Sequence, residues 1–329
     1  MDLENKFDYC VIGSGIGGGT ITKYLADKNK SIVVIEAGAN SHKGSDIINI
    51  GRPFGLRSTT SIQKGGTSNL WHGVLSLLDA VDFEKREWIN DSGWPISLKE
   101  LIPHYQSVSK YFGVEDFEYF FKENLTENLQ CEIDSVQFSR KILENKIFQQ
   151  PLNILNFKDK LTSLEKKYRR LKVLTNAKAC EFVSNGENVE YLKVGINKSK
   201  FINIKANKYI LCAGALESPR ILLNSKFKNK NIGRYLMDHP MGNLCQIKFK
   251  TPQKAQIYSA KKYKSNIAIK SGLTFTKSIQ KKYKIPNHCF YFRPSFSEGI
   301  DNKSEQVKLS LLAFKDGKIS LKDIFFLFR

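Results

Sequence analysis

No two cysteines in this sequence form a C-x-x-C pair. The six thiols, Cys10, Cys131, Cys180, Cys212, Cys245 and Cys289, are scattered without metal-ligand spacing. That excludes the common zinc sites and a thioredoxin-like redox motif. Three of them sit in apolar strand-like runs, where cysteine behaves as a small buried hydrophobe, so reduced structural thiols are expected. Long hydrophobic runs are missing too. The first apolar run begins at Phe7 and is soon broken by glycine, which makes it too short to span a bilayer and leaves no room for a signal peptide before it. A cytoplasmic location is the resulting expectation. Internal repeats and low-complexity linkers are likewise absent.

Acidic residues are the remaining shortage: 32 Asp and Glu against 52 Lys and Arg leave a net charge of +20. Such an excess can attract nucleic acid, anionic lipid or an acidic glycan. The basic residues, however, are strewn through every segment. The only clusters are short, as in Lys166, Lys167, Arg169 and Arg170, or Lys281, Lys282 and Lys284. No nucleic-acid-binding motif accompanies them, so a solvated surface is favoured over a polyanion site and no nucleic-acid partner is expected. What is present is ordinary for a globular protein: 41% hydrophobic and 26% charged residues over 329 positions, enough for a sizeable core.

The chain opens with a βαβ pattern. Phe7–Ile12 reads as a buried parallel strand, a glycine-rich turn leads into a helix over about Gly17–Asp27, and Ile32–Glu36 reads as a second buried strand. From Ala37 to about Leu78 the chain is irregular, and a loop of that length is usually functional. Ser97-x-x-Glu100 has the form of a capping box. Its helix carries Leu101, Tyr105, Val108 and Phe112 as the expected core stripe. Residues 113–150 are mixed and partly helical, with no firmer placement. Strands follow at Lys172–Thr175, Ala177–Val183 and Val189–Ile196, the last two joined by the turn signal Asn185-Gly186. Phe201, Ile202 and Ile204 form a third strand of this meander. Tyr209–Ala213 then reads as a fully buried strand and about Glu217 to Asn224 as a helix. Beyond Pro240 the pattern predicts alternating strands to about Phe314.

Gly13-Ser14-Gly15-Ile16-Gly17-Gly18 fits G-x-G-x-x-G between a strand and a helix. The first glycine permits a tight turn, the second lets a pyrophosphate approach the backbone, and the third lets helix and strand pack closely. The helix N-terminus offers free N–H groups to phosphate. Glu36 ends the next strand, placed to accept hydrogen bonds from both ribose hydroxyls of an adenosine and to repel a 2′-phosphate. The bland alternative is a glycine turn that binds nothing. The fingerprint indicates an adenine dinucleotide and does not by itself separate FAD from NAD. Two further small-residue segments invite close approach of a flat ring or a phosphate: Gly65-Gly66 with Thr67 and Ser68, and Cys212-Ala213-Gly214-Ala215. Each can also be a tight packing turn.

Several blocks resemble the glucose-methanol-choline (GMC) oxidoreductase family. Glu36-Ala37-Gly38 is similar to the end of that family's second strand. Gly65-Gly66-Thr67-Ser68-Asn69-Leu70-Trp71 resembles its isoalloxazine-facing loop. Asp82-Phe83, Gly93-Trp94-Pro95-Ile96 and Leu101-x-Pro103-His104-Tyr105 are similar to its sugar- and gluconate-oxidising branch. Gly214 through Ser225 resembles its second signature, with Lys226 where glycine is usual, and Gly233 through Pro240 resembles the block that follows. The resemblance runs over about residues 7–240.

It implies an α/β protein: a Rossmann-type FAD-binding fold with an inserted β-meander, plus part of an α+β substrate-binding domain. The FAD-binding domain would span 1–240, with a partly helical insertion over 80–170. Residues 241–329 would be a partial, truncated substrate-binding domain. The resemblance also implies FAD as cofactor and hydride transfer from an alcohol, sugar or polyol to flavin N5. The residues expected around FAD are Gly13, Ser14, Gly15, Ile16, Gly17, Gly18, Glu36, Ala37, Gly65, Gly66, Thr67, Ser68, Ala179, Ala213 and Gly214. Leu70 stands where some members attach FAD through histidine, so a non-covalent flavin is expected. His72 is a lesser candidate for a flavin neighbour, and His239 reads as structural.

The family's catalytic base is a histidine in a C-terminal segment. None of the five histidines here, His42, His72, His104, His239 and His288, lies in such a motif, so no catalytic residue is assigned. The apolar tail Leu321–Arg329 reads as an element cut midway, with membrane docking as the sharper alternative. A missing C-terminal segment or a partner chain is therefore part of the expectation. Two rival readings stay open: a non-catalytic FAD-binding or subunit-interaction module, and an NAD-dependent dehydrogenase.

Overall fold

The computed structural model describes residues 6–40, 60–196, 199–237, 241–247, 249, 255–259, 261–264 and 266–292. His42, Asp238-His239-Pro240 and the tail at 321–329 lie outside these residues. The strands are β1 (Phe7–Ile12), β2 (Ile32–Ile35), β3 (Leu143–Pro151), β4 (Leu171–Leu174), β5 (Lys178–Ser184), β6 (Val189–Gly195), β7 (Phe201–Ile204), β8 (Ala206–Leu211), β9 (Lys261–Lys264) and β10 (Ile267–Phe275). The longer helices are α1 (Ile16–Asp27), α2 (Leu98–Tyr111), α3 (Glu127–Ser135), α4 (Phe157–Lys167), α5 (Gly214–Asn224) and α6 (Lys277–Tyr283).

The first sheet is parallel, in the order β4-β2-β1-β8. Its strands are short apolar runs because both faces are covered. Val11, Ile32, Val34 and Leu171 face α1 and α4, where they meet Leu25, Leu161 and Leu164. Cys10, Ile12, Val33 and Ile35 face the other way, onto Phe182, Leu192 and Ile204 of the meander and Ile221 of α5. The α1–α4 contact is close: a Cβ on Gly19 would lie 2.0 Å from the Phe157 ring. The meander β5-β6-β7 is antiparallel and inserted between β4 and β8. At its first turn Gly186 adopts φ +102°, and the Asn185 side chain accepts from the amides of Glu187 and Asn188, a side-chain turn of the kind asparagine favours. This is the expected Rossmann-type α/β fold with its meander.

A second, antiparallel sheet has the order β3-β10-β9. β3 and β10 pair continuously from Leu143↔Phe275 to Pro151↔Ile267. The stretch read as an insertion and the stretch beyond residue 240 therefore share one sheet. Over it packs a core that includes Leu129 and Ile133 of α3 and Tyr258.

Several details depart from the sequence reading. β3 was not foreseen. It is rich in Glu, Asn, Lys and Gln, yet Gln149 is fully buried and Asn145 donates to Tyr258 Oη and Ser271 Oγ, so polar residues occupy positions where a strand pattern would show apolar ones. α6 replaces an expected strand; its run Lys277-Ser278-Ile279-Gln280-Lys281-Lys282 has few β-branched residues, and Lys284 closes it at φ +55°. α2 begins with the capping box, the Ser97 and Glu100 side chains each taking the other's amide, but its buried face is rotated by about one residue. Ile102 and Tyr105 pack on the Val114, Phe117 and Phe120 cluster and Ser109 and Phe112 are buried, while Val108 is exposed. β8 is half-buried at Tyr209, Ile210 and Leu211, since among the described residues it is paired on one side only.

Leu161 is fully buried between α1 and the parallel sheet. Leu161→Ala is expected to cost about 2–5 kcal/mol, measured as a lowered urea midpoint with unchanged m value.

Candidate functional site

The parallel sheet reverses strand order around β1, with β2 on one side and β8 on the other. In open α/β sheets the crevice beyond the carboxyl ends of such strands is where ligands bind. Here it is built from backbone. Gly13, following β1, has φ +97°, and a Cβ there would lie 2.3 Å from the Cys212 carbonyl oxygen. Gly18 is equally constrained, since its Cβ would lie 1.9 Å from the Gly13 carbonyl oxygen. These two glycines are required by strand–helix packing. Gly15 is not: an added Cβ would meet nothing nearer than Gly66 Cα at 4.0 Å. Among the described residues the space above Gly15 is unfilled. Gly15 also caps α1 without a side-chain hydrogen bond, and no acidic residue stands in the first turn, so the amides of Ile16, Gly17 and Gly18 have no partner within the helix.

Beside this turn lies Glu36, buried just past β2. Its Oε2 accepts from the Ser14 amide at 3.2 Å and the Ser14 hydroxyl at 2.5 Å, and its Oε1 accepts from the Gly38 amide at 2.8 Å. A carboxylate has about four acceptor positions, so one is left for a ligand. Burial pushes the Glu36 carboxyl above its ordinary value, and the Ser14 and Gly38 bonds oppose that shift. Ala37 is exposed next to it.

The third wall is the loop at Gly65 and Gly66, with φ +90° and +51°. Gly65 abuts the Lys158 amide, and Gly66 abuts Gly15, each so closely that a Cβ would fall within 3 Å. The Gly65 amide donates to Ser14 Oγ at 2.9 Å. Ser68 is buried; its hydroxyl donates to the Gly65 carbonyl and accepts from the Phe157 amide. Thr67 faces out. Asn69 ties the loop to the Lys64 and Gly66 carbonyls and receives the Asn156 side chain.

Ala213 and Gly214 lie where β8 turns into α5. Gly214 has φ +79° and no atom within 4 Å of an added Cβ. Ala179 is buried in the meander, in the same cluster as Ile12, Ile35 and Ala213. Its carbonyl accepts from Arg220 Nη2 at 2.9 Å, so α5 holds the meander strand in place.

Two residues that sequence reasoning missed support this loop. Lys64 is buried and pairs with Glu165 at 2.6 Å, and Glu165 Oε1 also accepts from the Val173 amide. At 101 positions apart, these two are linked by no local signal. Asn156, whose side chain caps α4 through the Lys158 amide, was legible as an N-cap followed by an acidic first turn.

His288 packs between Phe275 and Phe290 with Nδ1 on the Pro286 carbonyl. His104 is exposed on α2, and His72 is exposed while its carbonyl accepts from Gln150. Leu70 is exposed. All six cysteines are free. Among the described residues no group of three His, Cys, Asp or Glu could hold a metal, and no helix is long and apolar enough to cross a membrane.

A parallel sheet with a glycine turn at its switch point defines a Rossmann-type α/β fold. Residues 160–241 match the family described as GMC oxidoreductase. The chain is 23% identical over 293 residues to a long-chain-alcohol oxidase of Arabidopsis thaliana, covering 73% of this chain and 37% of that protein. Among solved structures it is similar to pyridoxine 4-oxidase from Mesorbium loti (21% identity, TM-score 0.44, 67% of this chain and 52% of that one). A fungal aryl-alcohol oxidase is similar at 14% identity and TM-score 0.45, over 67% of this chain and 48% of that one. The chain thus spans about half the length, or less, of the relatives it matches.

The raised carboxyl of Glu36 has a signed consequence. Its folded-state pKa lies above the unfolded one, so its contribution is fully present below the ordinary 4.5 and lost as pH rises through the folded value. The denaturant stability of the wild type relative to Glu36→Gln is therefore expected to fall as pH is raised from 4.5 toward neutrality; a flat difference would show that Glu36 titrates normally.

Proposed function

We propose that this chain is the FAD-holding part of an oxidoreductase that acts on CH–OH groups of an alcohol, sugar or polyol. The observation that carries the reading is the convergence of three separate segments, at Ser14, Glu36 and Gly65, into one buried hydrogen-bonded node beside the unused space at Gly15. The residues fit the group. The amides of Ile16, Gly17 and Gly18 would hold the pyrophosphate, and Glu36 a ribose hydroxyl. The bare backbone of Gly65 and Gly66 would lie against the flavin, with Ala179, Ala213 and Gly214 as further walls. FAD, when bound, supplies the acceptor for hydride from the carbinol carbon. Leu70 offers no nucleophile, so the flavin is held without a covalent bond. The parallel sheet and meander form the FAD-binding domain. The sheet of β3, β9 and β10 belongs to the substrate side, so the insertion and the segment after residue 240 act together.

The family assignment and an alcohol-oxidising relative support the reaction class. Six free cysteines fit a reducing compartment and a cytoplasmic location. A second reading, a non-catalytic FAD-binding module, has one observation in its favour: His288 is held by Phe275, Phe290 and the Pro286 carbonyl, and His72 and His104 are exposed.

The purified chain is expected to be yellow, with flavin absorption bands, and to release the flavin into the supernatant on acid precipitation. A colourless, folded protein that binds NAD would overturn the FAD reading. Bleaching of the bands by an alcohol supports the enzyme; stable bands across alcohols, sugars and polyols support the binding module.

A further inference from the structure

Glu36, Ser14 and Gly65 form a relay whose direction is fixed by chemistry. The Gly65 amide can only donate, and it donates to Ser14 Oγ at 2.9 Å. An ionised carboxylate can only accept, so the Ser14 hydroxyl proton points to Glu36 Oε2, 2.5 Å away. Ser14 is fully buried and Glu36 nearly so, which leaves water no access to repair a broken link. Gly65 heads the loop that presses on Gly15, and Ser68 fixes its carbonyl from the other side. The carboxylate that would hold the adenosine ribose and the loop that would meet the flavin are therefore joined through one hydroxyl.

We infer that Ser14 is a positioning residue that couples the two ends of the dinucleotide site, so that filling the adenosine end orders the Gly65–Gly66 loop for the flavin end. The inference rests on the FAD reading above. A ligand hydroxyl donated to the free position on Glu36 favours its ionised form. An ionised acceptor makes the Ser14 O–H bond charge-assisted. The polarised hydroxyl oxygen is then a better acceptor for the Gly65 amide. By reciprocity, a loop already docked by flavin raises affinity for the adenosine end.

The test titrates the flavin-stripped full-length chain with ADP and with FAD, for wild type and Ser14→Ala. ADP reports the adenosine end alone, and FAD reports both. Loss of the relay is expected to weaken FAD about tenfold more than ADP, the scale of one buried hydrogen bond. A merely structural role would lower both affinities in step, and that outcome, or no change in either, overturns the coupling. Wild-type protein that binds neither ligand overturns the FAD reading and the coupling with it. Should Ser14→Ala fail to fold, the wild type decides alone: ADP is expected to slow hydrogen exchange of the Gly65 amide, and an unchanged rate with ADP bound refutes the relay.

Discussion

Burying a carboxylate costs several kcal/mol unless donors surround it, and Glu36 sits buried one residue beyond the end of a parallel strand. The cost is offset by donors from two other places in the chain, the Ser14 turn and Gly38. Meeting that requirement fixes much else. Ser14 must face inward, which sets the turn between β1 and α1. Its hydroxyl oxygen can then still accept, and the Gly65 amide donates to it. The long irregular stretch after β2 is thereby brought back onto the first turn of the fold, where Gly66 and Gly15 touch backbone to backbone.

A second constraint is the double coverage of the parallel sheet. Because α1 and α4 cover one face and the meander covers the other, β2 is apolar at every position and β1 at all but Asp8, rather than at alternate ones. That is why these strands, the helix between them and the meander were legible. Phe7–Ile12 was read to the residue, and Asn185-Gly186 marked its turn through chemistry confined to four positions. The rest was written in long-range contacts. β3 reads as polar because the side-chain amides of Asn145 and Gln149 donate within the second sheet's core to partners such as Tyr258 and the Asp116 carbonyl, far away in sequence. The face of α2 was legible only in part: Tyr105 and Phe112 turn inward as read, while Val108 is exposed and Ile102 joins the cluster at Val114, Phe117 and Phe120, which nothing local indicates.

The site divides along the same line. Glycines at fixed offsets announce themselves because their conformations exclude other residues, and Glu36 follows from its place at a strand end. The braces behind them do not. Lys64 and Glu165 belong to different segments, and nothing near either residue indicates that a lysine ammonium will be buried against that carboxylate. Arg220 and Ala179 are likewise joined only by the way α5 lies on the meander.

Gly19 stands just outside the fingerprint and has no part in holding a ligand, yet the Phe157 ring fills the space where its side chain would be. The two positions act as lock and key within the chain itself. A larger residue at 19 would be admitted only where 157 became small. Pairwise covariation between these sites, rather than strict conservation of either, is the expected trace of this contact.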